Sequence, residues 1–274
     1  MHKYHNIGVP NIIKKIQENN EDTTLCIRQS DYDDYVTYDS RYARNMLVNT
    51  LNNNKHINEL MVAYHGDSGT LTHDILEYGG FNSIIMNSYN DSINATIMQC
   101  LNDNHYFNLI KLKLGSVNTS YNRLSVFLKM NHSLETLQIS CSWKSHQPIT
   151  RIISELHKSN IKTLTINFTG SKQNKIYSYI NNILKIDTAI SRLHIVNDAS
   201  YYRYSLVGNF DMIGPTLIKN HNIIEFTIES ESHFGMEAYT LTNKNRFLVI
   251  LMCFNRRIIP KCVSMNLIWP KIIN

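Results

Sequence analysis

The chain has 274 residues, 43% of them hydrophobic, which is enough apolar material for one elongated domain or two small ones. Its net charge of +5 is dispersed, and no run of five Lys or Arg occurs, which argues against a dedicated nucleic-acid tail. Five cysteines at unrelated spacings read as free thiols in a reducing compartment, and the absence of any run of 18 apolar residues excludes a helical membrane span.

From the N-terminus, Met1-His2-Lys3-Tyr4-His5-Asn6 shows no apolar signal core, so the expected location is cytoplasmic. A helical pattern opens the first unit with Ile12, Ile13 and Ile16 behind Pro10. One motif then recurs along the chain: apolar-x-x-apolar-x-apolar. A weak copy covers Asp22–Ile27, and clear copies follow at Ile57–Val62, Phe81–Met86, Leu109–Leu114, Leu134–Ile139, Ile161–Ile166, Ile190–Ile195 and Ile223–Ile228. A second weak copy covers Phe247–Met252. The fourth residue of each copy serves as its anchor: Leu25, Leu60, Ile84, Leu112, Leu137, Leu164, Leu193, Phe226 and Ile250. Their mean spacing is about 28 residues, the period of a solenoid of short units.

Between anchors the apolar residues fall at i, i+3, i+4 and i+7, the stripe of an amphipathic helix. The pattern predicts helices over 43–51, 93–101, 121–130, 149–157, 176–186 and 210–218, with Ser40, Asp91, Ser120 and Asn209 as N-caps. These helices run into a recurring Asn/His turn, at Asn54-Lys55-His56, Asn104-His105, Asn131-His132, Ser159-Asn160 and Asn220-His221. Asn tolerates the left-handed conformation that closes a helix, and that is the role expected of it here. The turn histidines lie one repeat apart and do not converge, so no metal site is expected.

Each unit is therefore helix, tight turn, short strand and loop. One unit alone cannot bury both its strand face and its helix stripe, whereas stacked units can. The sequence Asn-x-x-Leu-x-x-Leu-x-Ile after a helix, clearest at Asn131–Ile139 and Asn160–Ile166, resembles leucine-rich repeats of the ribonuclease-inhibitor type. The resemblance covers roughly residues 9–254. It implies an α/β leucine-rich-repeat solenoid, a horseshoe with a parallel β-sheet on the concave face and helices on the convex face. About nine strand-helix units would fill residues 1–254, with residues 255–274 as a C-terminal cap or tail. The family's Asn or Cys five residues after the anchor is mostly missing, since those positions hold Ser142, Thr169, Asp198 and others. An eight-fold β/α barrel, the scaffold of many enzymes, shares the strand–helix alternation but uses longer units.

No phosphate-binding glycine loop, dinucleotide fingerprint, His-Glu-x-x-His or nucleophile elbow is present, so the chain reads as non-enzymatic and without a cofactor. The one tempting cluster, Cys141 to His146, lacks any sequence sign of a base brought alongside the thiol. Binding chemistry is instead expected on the open sheet face, because alternate strand residues point opposite ways. The residues flanking each anchor then form two outward rows, polar in the middle of the sheet. Lys111, Lys113, Gln138, Arg192, His194 and Glu225 are the candidate partner-binding residues on these rows, with a mildly positive character. On the neighbouring loop edge, Trp143 and the Tyr201/Tyr202 pair are the aromatic candidates.

The expected function is a protein-interaction scaffold for a macromolecular partner. It is similar to the repeat modules of adaptors, ubiquitin-ligase receptors, intracellular-pathogen effectors and amoebal-virus proteins, and for the last two kinds the expected location is a host cytoplasm. No F-box-like segment precedes the repeats, which disfavours a self-contained ligase receptor. The rival readings are a barrel enzyme and weak nucleic-acid binding through the four cations.

Overall fold

The structure is a computed structural model. It describes residues 13–14, 16–18, 23–28, 40–54, 56–63, 70–77, 80–87, 91–103, 106, 108–118, 120–142, 146–169, 173–198, 213–220, 222–232 and 235–242. In chain order the elements are β1 (Thr24–Arg28), α1 (Ser40–Asn53), β2 (Glu59–Ala63), α2 (Thr70–Leu76), β3 (Ser83–Met86), α3 (Asp91–Asp103), β4 (Lys111–Leu114), α4 (Tyr121–Met130), β5 (Thr136–Ser142), α5 (His146–Leu156), β6 (Thr163–Thr169), α6 (Gln173–Lys185), β7 (Arg192–Asp198), α7 (Gly214–Lys219), β8 (Glu225–Ser232) and β9 (Gly235–Thr242).

All nine strands belong to one sheet in strictly sequential order, and β1 through β8 are parallel. The sheet is open, with β1 and β9 at its two ends, so the eight-fold barrel is not formed. Each helix packs on the next from α1 to α7, which places the helices in one layer.

The anchors lie side by side across every parallel junction: Leu25 on Leu60, Leu60 on Ile84, Ile84 on Leu112, and so on to Leu193 on Phe226. All of them are buried, as are Ile27, Val62, Met86, Leu114, Ile139, Ile166, Ile195 and Ile228 two residues further along. They meet the helix stripes, among them Leu47, Ile97, Leu124, Ile152 and Ile180, in one continuous apolar core. This is why the motif needs a period of two within the strand and 3.6 within the helix.

Two polar devices tie neighbouring units together, the first at every parallel junction and the second at four of them. The first is a forked carbonyl two residues before the anchor. At each of the seven parallel junctions it accepts N–H groups from two consecutive residues of the following unit. The Glu135 carbonyl, for instance, accepts from Lys162 N at 2.8 Å and Thr163 N at 3.0 Å.

The second device is a side-chain ladder six residues before the anchor. Asn54, Asn131 and Asn220 each donate Nδ2 to a carbonyl of the preceding unit, those of Ile16, Tyr106 and Leu184. Each Oδ1 then accepts two N–H groups of its own turn, such as Ser133 N and Leu134 N on Asn131. Tyr106 holds the same position in its unit and reaches the Leu76 carbonyl with its hydroxyl.

Asn131 and Asn220 are not in the left-handed conformation that the turn pattern suggests. Asn131 has φ −90° and ψ 110°, and Asn220 has φ −87° and ψ 111°, both extended. Their backbone N–H groups still bond the last helical carbonyls, and the side-chain amide holds the turn that follows. Ser120 also departs from its expected role, since it makes no side-chain cap bond at the start of α4. Ser40 and Asp91 open α1 and α3 as their first helical residues.

Two further differences concern the strands and one a helix. They run to seven residues in β5, β6 and β7 and eight in β8, longer than the motif alone requires. Helix α2 forms over Thr70–Leu76, where no stripe had been read. Beyond β8 the next unit does not begin with a helix. β9 turns back and pairs antiparallel with β8, from Ser232 opposite Gly235 to Glu225 opposite Thr242. Its residues Met236-Glu237-Ala238-Tyr239-Thr240 lack a helical stripe and suit a strand. The weak ninth copy at Phe247–Met252, Asn209 and residues 255–274 lie outside the described residues.

Candidate functional site: the open face of the sheet

Among the described residues, helices cover one face of the sheet and none covers the other. On the uncovered face the rows flanking the anchors are in register. The row before the anchors runs Glu59, Ser83, Lys111, Thr136, Thr163, Arg192, Glu225, and the row after them runs Met61, Ile85, Lys113, Gln138, Thr165, His194, Thr227. Most of these side chains are half-buried by their neighbours in the sheet, and Arg192 is exposed. The candidates Lys111, Lys113, Gln138, Arg192, His194 and Glu225 thus share one surface, as the alternation predicts.

Their charges are arranged more closely than the sequence shows. Lys111 Nζ lies 3.8 Å from Glu59 Oε2, two strands away, and Ser83 Oγ donates to the same oxygen at 2.8 Å from the strand between. Arg192 Nε lies 3.4 Å from Glu225 Oε2 on the adjacent strand. The expected positive character is therefore largely spent in pairs along one row. Of Lys111, Lys113 and Arg192, only Lys113 has no carboxylate partner among the described residues.

Between these pairs, β5 and β6 present an uncharged polar field. Thr136, Gln138, Thr163 and Thr165 make no side-chain hydrogen bond among the described residues. Asn167 and Ser140 extend the field and bond each other at 3.3 Å. Toward β1 the same face becomes apolar, with Cys26, Met61 and Ile85 in the row after the anchors.

The loop-edge candidates Trp143, Tyr201 and Tyr202 lie outside the described residues, as do Tyr64, Tyr89 and Phe234. At the opposite edge of the sheet, where strands begin, an open groove of about 700 Å³ is lined by Asn82, Ile110, His132, Glu135, Asn160 and Lys162 among others. Its charges are mutually satisfied by the Lys162–Glu135 pair, and the Asn160 amide donates to the His132 carbonyl.

Cys141 sits on the covered side, in register with Phe168, and is buried. Burial pushes its thiol up to about 12, so it carries no thiolate near neutral pH. Tyr179 stacks on Phe168 with ring centroids 5.9 Å apart, and its phenol is raised by burial and then by the neighbouring Cys141. The Cys141–His146 cluster therefore offers no activated nucleophile at the sulfur. Asn94, in one of the Asn-x-Thr triplets, is buried with its amide on the Ser116 carbonyl and is closed to glycan attachment.

No family model and no curated protein matches this sequence. Among the described residues no group of three or more His, Cys, Asp or Glu is placed to hold a metal ion, and no helix is long and apolar enough to cross a membrane.

The sequence marks Asn54, Asn131 and Asn220 as turn residues but not as bonds between units, and it gives no sign of the cross-strand ion pairs. The signal for the ladder was present, because Asn54, Asn131 and Asn220 each stand six residues before an anchor. The pairing of Lys111 with Glu59 had no such signal, since it depends on a register that skips one strand.

Proposed function

We propose that the chain is a non-enzymatic interaction scaffold of the leucine-rich-repeat kind, which binds a macromolecular partner on its open sheet face. In this reading the open face is the concave side of a horseshoe. Trp143, Tyr201 and Tyr202 of the Tyr-rich stretches add aromatic contacts in this reading, and the partner belongs to the cytoplasm in which the protein works. The observation that carries the reading is the field of Thr136, Gln138, Thr163 and Thr165. Among the described residues these side chains make no hydrogen bond, and no described helix covers their face. A sheet face with no role beyond solubility is usually rich in charge, whereas aligned hydroxyls and amides in a flat row suit the polar groups of another chain.

The test is a pull-down from eukaryotic lysate with the intact chain and with a Gln138→Arg/Thr165→Arg variant whose circular dichroism and melting temperature match it. A partner captured by the first and lost by the second supports the reading. Equal capture by both moves the interface off this face. Loss on Trp143→Ala/Tyr201→Ala/Tyr202→Ala alone would place it on the loop edge.

A further inference from the structure

We propose that the open face takes an extended acidic peptide lying across β4 to β7, with an Asp or Glu side chain seated on Lys113. This rests on the reading of the face as a binding surface and specifies its partner's chemistry.

The row after the anchors runs Lys113, Gln138, Thr165, His194 on four adjacent strands. Neighbouring strands lie ~4.8 Å apart, so Lys113 and His194 are ~14 Å apart along this row. An extended peptide advances ~3.4 Å per residue, and its same-side residues recur every ~6.8 Å. A residue seated on Lys113 therefore places the residue two further on between Gln138 and Thr165. The residue four further on arrives at His194. The peptide's intervening N–H and C=O groups meet the amide of Gln138 and the hydroxyls of Thr165, Thr136 and Thr163, each of which can donate and accept.

Charge selects the occupant. Lys111 and Arg192 are held by Glu59 and Glu225, whose carboxylates would repel a second anion on the row before the anchors. Among the described residues, Lys113 alone of the three has no carboxylate partner. One open ammonium beside two filled pairs suits a single acidic side chain. A nucleic-acid strand would need a cation for each of several phosphates. An apolar segment has no reason to choose this field, since Cys26, Met61 and Ile85 lie beyond it on β1 to β3.

The experiment selects a random peptide display library on the immobilised full chain. Enriched peptides are then measured by fluorescence anisotropy. The expected result is an Asp or Glu enriched at one position. Binding should weaken about tenfold or more with Lys113→Glu, less with Lys113→Gln, and remain unchanged with Lys158→Glu on the far side of the unit. Enriched peptides without an acid, or binding indifferent to Lys113→Glu, overturn the proposal. If such peptides are still lost with Thr165→Arg, the face remains the binding surface and only the acidic chemistry falls. If they survive both substitutions, the face reading falls as well. Failure to enrich any peptide, or tighter binding of polyuridylate with steep salt dependence, also overturns the proposal.

Discussion

Replacing Asn131 by Ala tests the ladder at its best-buried rung. Asn131 is 2% exposed, and its amide serves three backbone groups: the Tyr106 carbonyl, Ser133 N–H and Leu134 N–H. Alanine leaves all three without this partner. Ser133 is half-buried and can recruit water, whereas Tyr106 and Leu134 are buried. The Tyr106 carbonyl still accepts from Leu109 N–H at 3.4 Å, so Leu134 N–H is the buried group left unsatisfied. At ~1–3 kcal/mol for that group and ~1 kcal/mol for the lost bond to Tyr106, the loss is about 2–4 kcal/mol. Asn160 makes the same kind of bond, Nδ2 to the His132 carbonyl, but does so at the surface. Its replacement by Ala should cost less than ~0.5 kcal/mol, because water substitutes for the amide. Asn131→Asp separates the two halves of the device, since a carboxylate accepts both N–H groups but cannot donate to Tyr106. It should fall between wild type and Asn131→Ala. Urea titration followed by circular dichroism at 222 nm measures all three, with constant slope as the check on two-state behaviour. Asn131→Ala and Asn160→Ala within ~0.5 kcal/mol of each other would refute the claim that burial of the amide ties adjacent units together.

Leu164→Ala, at a fully buried anchor, should destabilise by about 2–5 kcal/mol, while Thr165→Ala on the open face should change stability by less than ~0.5 kcal/mol; melting curves distinguish them. The folded-state pKa of Cys141 is raised from 9.0 to about 12, so burial of the neutral thiol stabilises the fold fully below pH 9 and this contribution is lost as pH rises toward 12. The stability gap between wild type and Cys141→Ala should accordingly shrink between pH 9 and 12, and native-state thiol labelling at pH 8 should reach half-buried Cys26 well before Cys141. Glu59→Gln removes the partner of Lys111 and the carboxylate accepting from Ser83, and should cost no more than about 1 kcal/mol, with a loss that diminishes in added salt.

The architecture was legible where burial imposes a phase. Leu25, Leu60, Ile84, Leu112, Leu137, Leu164, Leu193 and Phe226 share a register because a slip of one residue would turn each strand's apolar side to water. The same phase placed Lys113, Gln138 and His194 on the open face. The ladder asparagines carry no periodic apolar signal, and their role depends on which carbonyl of the preceding unit the amide can reach. β9 was hidden for another reason. A strand that pairs backward with β8 needs only a short connection, and the repeat period encouraged the expectation of a helix there. The ion pairs of Lys111 and Arg192 follow from distances between strands, so residue types alone overstated the positive charge of the face.

The strands are unequal, and this has a consequence for how the chain opens. β3 and β4 have four residues each, while β5, β6 and β7 have seven and β8 has eight. In a stack where each unit meets only its neighbours, partial unfolding propagates along the array and starts where adjacent ladders are shortest. Amides of β3 and β4 should therefore exchange with solvent ahead of those in β6 and β7. Lys113 stands on the looser side of that seam, and Gln138, Thr165 and His194 stand on the firmer side. A chain bound across all four would clamp the seam, and slowed exchange in β4 would record its presence.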